Sequence, residues 1–340
     1  MENVPDGPAP VVVCDELVIR YGDLTAVDAL SFQARPGEVL ALLGPNGAGK
    51  TSTVECFEGY RHPSAGSVSV LGLDPRHDHA ALVPRIGVML QRGGVYPMLG
   101  PARVLRLFAQ YYDDAEDPDA LLDLVGLGEV QRTPWRRLSG GEQQRLSLGL
   151  ALVGKPEVVF LDEPTAGVDP EGRVVVREII AGLRRRGICV ILTTHELAEA
   201  ERLADRVVII DHGRKLAEDT PAGLSAGTGD GSIRFTTDPG IDTASLALAI
   251  GSGTAIDEEG PGIYRLRPPI GTDNPAVVAA LAAWLAARGL ALGDLRTRHS
   301  LEEAYLAITG SGGTSAPTVK AVASGSGSRS RGRRSARGSR

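Results

Sequence analysis

The 340-residue sequence predicts an α/β fold: a mostly parallel sheet with helices on its faces, an inserted helical subdomain, and a small α+β domain towards the C-terminal end. Three observations predict it. Short apolar runs alternate with helical patterns between residues 11 and 220. Glycine-rich and acidic motifs fall at the ends of those runs. A Gly/Pro-rich stretch at residues 221–232 then precedes a second block of strand and helix patterns.

Residues 1–10 are Pro/Gly-rich and read as a loose N-terminus. Val11 to Arg20 is a strand by its supply of Val, Ile and Leu. Val39 to Leu43 is a second, feeding a glycine loop, and Thr51 to Gly59 is a helix. Val68 to Leu71 and Ile86 to Leu90 are further strands. Pro101 to Leu124 is helical, with Val104, Leu105, Leu107, Phe108 and Tyr111 spaced for one face. Ser139 to Leu152 is a helix entered through a capping serine. Strands follow at Val158 to Leu161, Cys189 to Leu192 and Val207 to Ile210. Helices run over Arg173 to Arg185 and Leu197 to Ala204. Helices over about 92–152 interrupt the alternation and form the inserted subdomain of a unit spanning 11–222. Residues 232–310 hold strands at Ile233 to Thr236, Ile263 to Leu266 and Ala291 to Thr297, with helices at Pro275 to Arg288 and Ser300 to Ile308. Residues 311–340, rich in Gly, Ser and Arg, read as disordered.

A hydrophobic fraction of 42% supports an ordinary packed core. The longest apolar run, Ala276 to Ala287, is mostly alanine and falls short of the ~20 residues that cross a bilayer. The first residues lack a basic segment followed by an apolar one, so no signal peptide is expected and the protein reads as cytosolic. Cys14, Cys56 and Cys189 have no metal-type spacing and read as reduced thiols. Residues 311–340 carry Lys320 and six arginines with no acid, so the net charge of −6 hides a body at −13 and a tail at +7. Whole-chain charge therefore gives no case for a nucleic-acid partner.

Gly44-Pro-Asn-Gly-Ala-Gly-Lys50-Thr51 matches G-x-x-x-x-G-K-[ST] between a strand and a helix. Gly44, Pro45, Asn46, Gly47, Ala48 and Gly49, with Lys50, Thr51 and the following Ser52, are the candidate nucleotide-binding residues. The glycines let the backbone wrap phosphates, and amide N–H groups at a helix start face the anion. In the P-loop scheme Lys50 reaches the β- and γ-phosphates and Thr51 binds Mg²⁺. Asp162 and Glu163 end the apolar strand Val158 to Leu161. Asp162 is placed to hold Mg²⁺ and Glu163 to polarise the attacking water. Leu138-Ser-Gly-Gly-Glu-Gln-Gln-Arg145 opens a helix with a Ser-Gly-Gly turn, a second anion site. One nucleotide does not need two such cradles from one domain.

Together these motifs resemble the ATP-binding subunit of an ABC transporter over roughly residues 11–220. The resemblance implies that Ser139, Gly140, Gly141 and Glu142 form the signature, facing the γ-phosphate held by a second subunit. It makes Gln91 the Q-loop residue, a link between Mg²⁺, the water and a membrane partner. It makes His195, in Leu192-Thr-Thr-His, the switch histidine on the γ-phosphate. Ala166-Gly-Val-Asp169 is then the D-loop and Tyr21 the aromatic that stacks on adenine. The catalytic set implied is Glu163, His195, Lys50 and Gln91; the metal set is Thr51, Gln91 and Asp162.

Gly94-Val-Tyr-Pro-Met-Leu and Ser300-Leu-Glu-Glu-Ala-Tyr-Leu-Ala-Ile-Thr-Gly310 are similar to drug-resistance ATPases of the daunorubicin-exporter type, which serve ABC-2 permeases. That implies ATP and Mg²⁺ as cofactors and a homodimer or paired ATPase subunit. It also implies a separate permease handling a drug, antibiotic or lipid-like compound, and a place on the inner face of the cell membrane. An importer ATPase and a soluble, non-transport ABC ATPase are the alternatives. A GTPase is disfavoured because no Asn-Lys-x-Asp element is present. One departure stands out: where the family usually continues with threonine and then glutamate after Tyr96-Pro-Met-Leu, this chain has Gly100-Pro-Ala-Arg103.

Overall fold

The computed structural model describes residues 8–89, 95–227, 232–269, 274–297 and 300–310. The elements run β1 (Val12–Tyr21), β2 (Leu24–Ala34), β3 (Val39–Leu43), α1 (Lys50–Phe57), β4 (Ala65–Val70), α2 (His79–Leu82) and β5 (Ile86–Met89). Then come α3 (Pro101–Ala109), α4 (Pro118–Leu124), α5 (Gly140–Leu152), β6 (Val158–Asp162), α6 (Pro170–Arg185), β7 (Cys189–Thr194), α7 (Leu197–Leu203), β8 (Arg206–Asp211), β9 (Arg214–Asp219) and α8 (Pro221–Gly227). The last block is β10 (Ile233–Thr236), α9 (Thr243–Ile250), β11 (Ala255–Gly260), β12 (Ile263–Arg267), α10 (Asn274–Ala286), β13 (Leu295–Arg296) and α11 (Leu301–Gly310).

A six-stranded sheet, ordered β5-β6-β7-β3-β8-β9, organises the main unit. All its neighbours pair in parallel except β8 and β9. Its central strands are apolar at nearly every position because both faces are covered. Alternate residues go opposite ways. Ala41, Leu43, Val159, Leu161, Val190 and Leu192 join a core with α3 to α6. Leu40, Leu42, Phe160, Ile191 and Val208 join a second core with α1 and the antiparallel sheet β2-β1-β4. Helix α6 shows the matching helical pattern: it buries Gly172, Val176, Ile179, Ile180 and Leu183 on one stripe.

The inserted helices differ from the sequence expectation in one respect. Pro101 to Leu124 is not one helix but two. Asp117 accepts the Asp119 N–H as an N-cap, and Pro118 occupies the first turn of α4, so a new helix starts where the periodicity alone ran on. The departure at Gly100 also has a local reason. A Cβ there would lie 2.7 Å from the Gln131 carbonyl oxygen and 2.8 Å from the Arg132 carbonyl carbon, so only glycine fits.

The C-terminal strands form an antiparallel sheet ordered β11-β12-β10-β13, with chain order β-α-β-β-α-β, the split βαβ arrangement. Phe235 stacks on Tyr264 inside it, with Leu281 and Trp284 of α10 packed on the same core. The sequence grouped the helix at 300–308 with this unit. The structure instead places Leu301 and Ala304 of α11 in the core of the main unit, which α11 meets through α7, α8 and β9. The strand expected over 291–297 is limited to Leu295 and Arg296. Among the described residues no helix is long and apolar enough to cross a membrane. The tail 311–340 lies outside the described residues.

Candidate nucleotide site

All five residues of β3 are buried, and the strand discharges into Gly44 at the edge of a cleft. The loop that follows is built for backbone contact. A Cβ at Gly44 would meet the Ile210 carbonyl oxygen at 2.2 Å, and one at Gly49 would meet the Ala26 carbonyl oxygen at 2.6 Å. Gly47 and Gly49 also have φ of 83° and 100°, values that favour glycine. No side chain caps α1, and its first turn holds no acid, so its N-terminal amides are left to an anion. Ala48 is buried beneath the loop, and its carbonyl accepts the Gly213 N–H.

Lys50 is 8% exposed and curls back over this loop, donating to the carbonyls of Gly44 at 2.7 Å and Pro45 at 3.1 Å. Burial holds its ammonium pKa below the ordinary lysine value, opposed by the nearby charges of Glu163 and Asp162. Asp162 sits at the end of β6. The Thr193 hydroxyl donates to its carboxylate. Burial still raises the Asp162 pKa, and Glu163 adds to the rise, while Thr193 and Lys50 oppose it.

Glu163 follows in a left-handed backbone conformation, φ 50°, uncommon for a residue with a Cβ. Its N–H donates to the Thr193 carbonyl at 3.1 Å. Its carbonyl accepts the Gln144 side-chain amide at 2.8 Å and the Ala166 N–H at 3.1 Å. Its carboxylate lies 2.7 Å from His195 Nδ1. The turn thus aims the carboxylate at the histidine beyond β7.

The cleft between loop and carboxylates has a volume of about 600 Å³. Asn46, Gly47, Gly49, Lys50, Thr51, Ser52, Asp162 and Glu163 line one part; Tyr21, Leu24 and Ala26 line the rest. Tyr21 is 42% exposed, and its hydroxyl lies 2.8 Å from Ser52 Oγ. The Arg61 guanidinium covers the ring at 4.5 Å from its centroid and is held in turn by Glu55 at 2.7 Å. The structure therefore gathers Tyr21, Lys50, Thr51, Asp162, Glu163 and His195. Gln91 lies outside the described residues.

The Ser-Gly-Gly turn that the sequence suggests as a second anion site lies elsewhere. Ser139 caps α5 in a capping box: its hydroxyl accepts the Glu142 N–H at 3.2 Å, and the Glu142 carboxylate accepts the Ser139 N–H at 2.7 Å. Glu142 is thereby tied to the cap. Ser139 and Gly140 are exposed, and neither they nor Gly141 line the cleft of their own chain.

A family model described as ABC transporter matches residues 27–166. The chain is 36% identical over 298 residues to the daunorubicin resistance ATP-binding protein DrrA3 of Streptomyces coeruleorubidus, covering 86% of this chain and 93% of that one. It belongs to the ABC transporter ATP-binding family. It is also 43% identical over 209 residues to the Nod factor export ATP-binding protein I of Burkholderia pseudomallei (strain 1710b), covering 59% of this chain and 68% of the relative. Among solved structures, an ATP-binding subunit of an ABC transporter superposes with a TM-score of 0.59 at 26% identity, over 64% of this chain and 92% of that one. The cbiO1 protein of Clostridium perfringens, part of the transporter complex cbiONQ, gives 0.57 at 26% identity over 64% and 91%.

In this cassette several site residues escape sequence reading. Thr193 holds both Asp162 and Glu163; its signal was a polar pair ending an otherwise apolar strand beside His195. Arg61, Leu24 and Ala26 have no signal in the sequence. Leu24 and Ala26 reach the cleft because β1 turns back into β2 beside α1, and Arg61, just after α1, covers the Tyr21 ring. Gln144 stands inside the motif Leu138 to Arg145, but nothing in the sequence signals its contact with Glu163.

Proposed function

We propose that two copies of this chain, or this chain and a paired ATPase subunit, clamp two ATP molecules and hydrolyse them to drive export through a separate ABC-2-type permease. The observation that carries the reading is the separation of the two anion sites. The loop, Lys50, Asp162, Glu163 and His195 share one cleft, while the Ser139-Gly140-Gly141 turn, with Ser139 and Gly140 exposed, lies outside it at the capped start of α5. A second copy supplies what each cleft lacks.

Lys50 is buried enough to strengthen its pull on a phosphate, and it exchanges its two loop carbonyls for phosphoryl oxygens. Tyr21, backed by Arg61, offers a flat surface for the base. Glu163 takes the proton of the attacking water, and His195, 2.7 Å away, fixes that carboxylate and faces the transferred phosphoryl group. Mg²⁺ fits the residues present. Asp162 and Glu163 are two carboxylates at one partly buried spot, which raises the Asp162 pKa until a cation joins them. Among the described residues no cluster of three metal-binding side chains exists, in keeping with an ion that takes phosphates and water as its other ligands. Thr51 and Asp162 would hold it, and when bound it neutralises charge on the β- and γ-phosphates.

The relatives' roles in daunorubicin resistance and Nod factor export support export of a drug, antibiotic or lipid-like compound. Residues 11–222, with α11 packed on them, are then the motor and residues 232–297 an attached unit, at the inner face of the cell membrane. The exposed Tyr60, Tyr96, Met98 and Tyr111 supply apolar surface for a permease. Mg²⁺-dependent ATP turnover by the purified protein, followed by ATP-driven transport in vesicles with the candidate permease, tests the reading. Wild-type protein that binds but never hydrolyses ATP, alone or with the permease, contradicts it.

A further inference from the structure

Gln144 lies in the second turn of α5, whose first turn is the signature. Its side-chain amide donates to the main-chain carbonyl of Glu163 at 2.8 Å, across 19 residues of sequence. That carbonyl belongs to a residue held at φ 50°, and a strained conformation persists only where its surroundings hold it. The other supports of Glu163 are Ala166 in its own turn and Thr193 and His195 at the end of the neighbouring strand β7. Gln144 is the support that arrives from the signature helix. The two segments also touch directly, since a Cβ at Gly141 would lie 3.4 Å from Val168 Cα. A helix turn is stiff, so Ser139 and Gln144, about 7.5 Å apart along the axis, move together.

We propose that Gln144 is a positioning residue that couples the two nucleotide sites: phosphate captured by the signature of one chain, for the partner's ATP, shifts α5 and sets the Glu163–His195 pair of that same chain. The inference rests on the two-copy reading above. The direction follows from the contacts. The Glu163 carbonyl and carboxylate are two ends of one residue, so moving the carbonyl reorients the carboxylate beside His195 and the attacking water. An ångström of misplacement there costs about a hundredfold in rate.

Gln144→Met keeps the length and removes the donor; Gln144→Glu sets a carboxylate against the carbonyl. The test is steady-state ATP hydrolysis by the full chain, with thermal melting alongside. We expect kcat to fall about tenfold to a hundredfold in both variants, with KM for ATP within about twofold, and any Hill coefficient above about 1 in wild type to fall to about 1 in Gln144→Met. Variants with kcat and cooperativity within about twofold of wild type overturn the proposal. So does a Gln144→Met protein whose melting temperature collapses along with its activity, because the residue then serves packing. A wild type that never hydrolyses ATP counts against the function proposed above and leaves this inference to a second readout. Hydrogen exchange at residues 163–168, with ATP and Mg²⁺ present, should show protection in wild type that Gln144→Met lacks; equal protection in both overturns the coupling.

Discussion

Lys50 and Glu58 show how single side chains carry both function and its cost. Lys50 is buried, and its partners are its own loop carbonyls. Lys50→Ala should weaken ATP binding about tenfold to a hundredfold, the worth of a charge-assisted contact, measured by equilibrium binding of a fluorescent ATP analogue. Glu58, after α1, is 6% exposed, and burial, with Glu55 and Asp162 adding to it, pushes its pKa up to about 8. An unfolded glutamate ionises near pH 4.3, as a rough reference. Between those values the folded chain binds the extra proton, so its contribution to stability is complete below the lower value and declines until pH reaches about 8. Glu58→Gln should therefore flatten the melting-temperature profile over that window and raise the melting temperature at pH 8. A steeper profile in the variant would refute the assignment. At this scale the sequence was most legible where spacing alone carries chemistry, as in Gly44 to Thr51 and Asp162-Glu163. It was silent on Arg61, whose place over the Tyr21 ring depends on packing between residues 40 apart in the chain.

Among the elements, legibility followed burial. Strands covered on both faces, β3, β6 and β7, are continuous apolar runs and stood out. The missed strands β2, β9 and β11 are sheet edges, where Arg214-Lys-Leu-Ala-Glu-Asp219 or Ala255-Ile-Asp-Glu-Glu-Gly260 can stay polar because one side faces water. Helix α11 was legible as a helix but not by its partner, since an apolar stripe does not say which core receives it. Leu301 is fully buried in the core of the main unit. Leu301→Ala should cost about 2–5 kcal/mol, read as a lower denaturation midpoint of the cassette rather than of the split βαβ unit. Unfolding of the C-terminal sheet alone, with the cassette unchanged, would show that α11 belongs with residues 232–297.

For the whole molecule, the division of labour between two anion sites is the organising fact. On the proposed reading, a chain whose cleft and signature turn lie apart is half of a machine, as the resemblance of its motifs already implied. What the order did not show is the wiring between the halves: Thr193 joining β7 to both acidic residues, and Gln144 joining the signature helix to Glu163. The central claim is that hydrolysis needs a closed pair of chains and Glu163 to reopen it. Glu163→Gln, incubated with ATP and Mg²⁺ and followed by light scattering, tests it most directly. The account predicts that the variant loses turnover by about a hundredfold or more and accumulates as an ATP-bound dimer, while wild type passes through that dimer and returns to monomer. A variant that stays monomeric with ATP bound, or one that still hydrolyses at the wild-type rate, would contradict it.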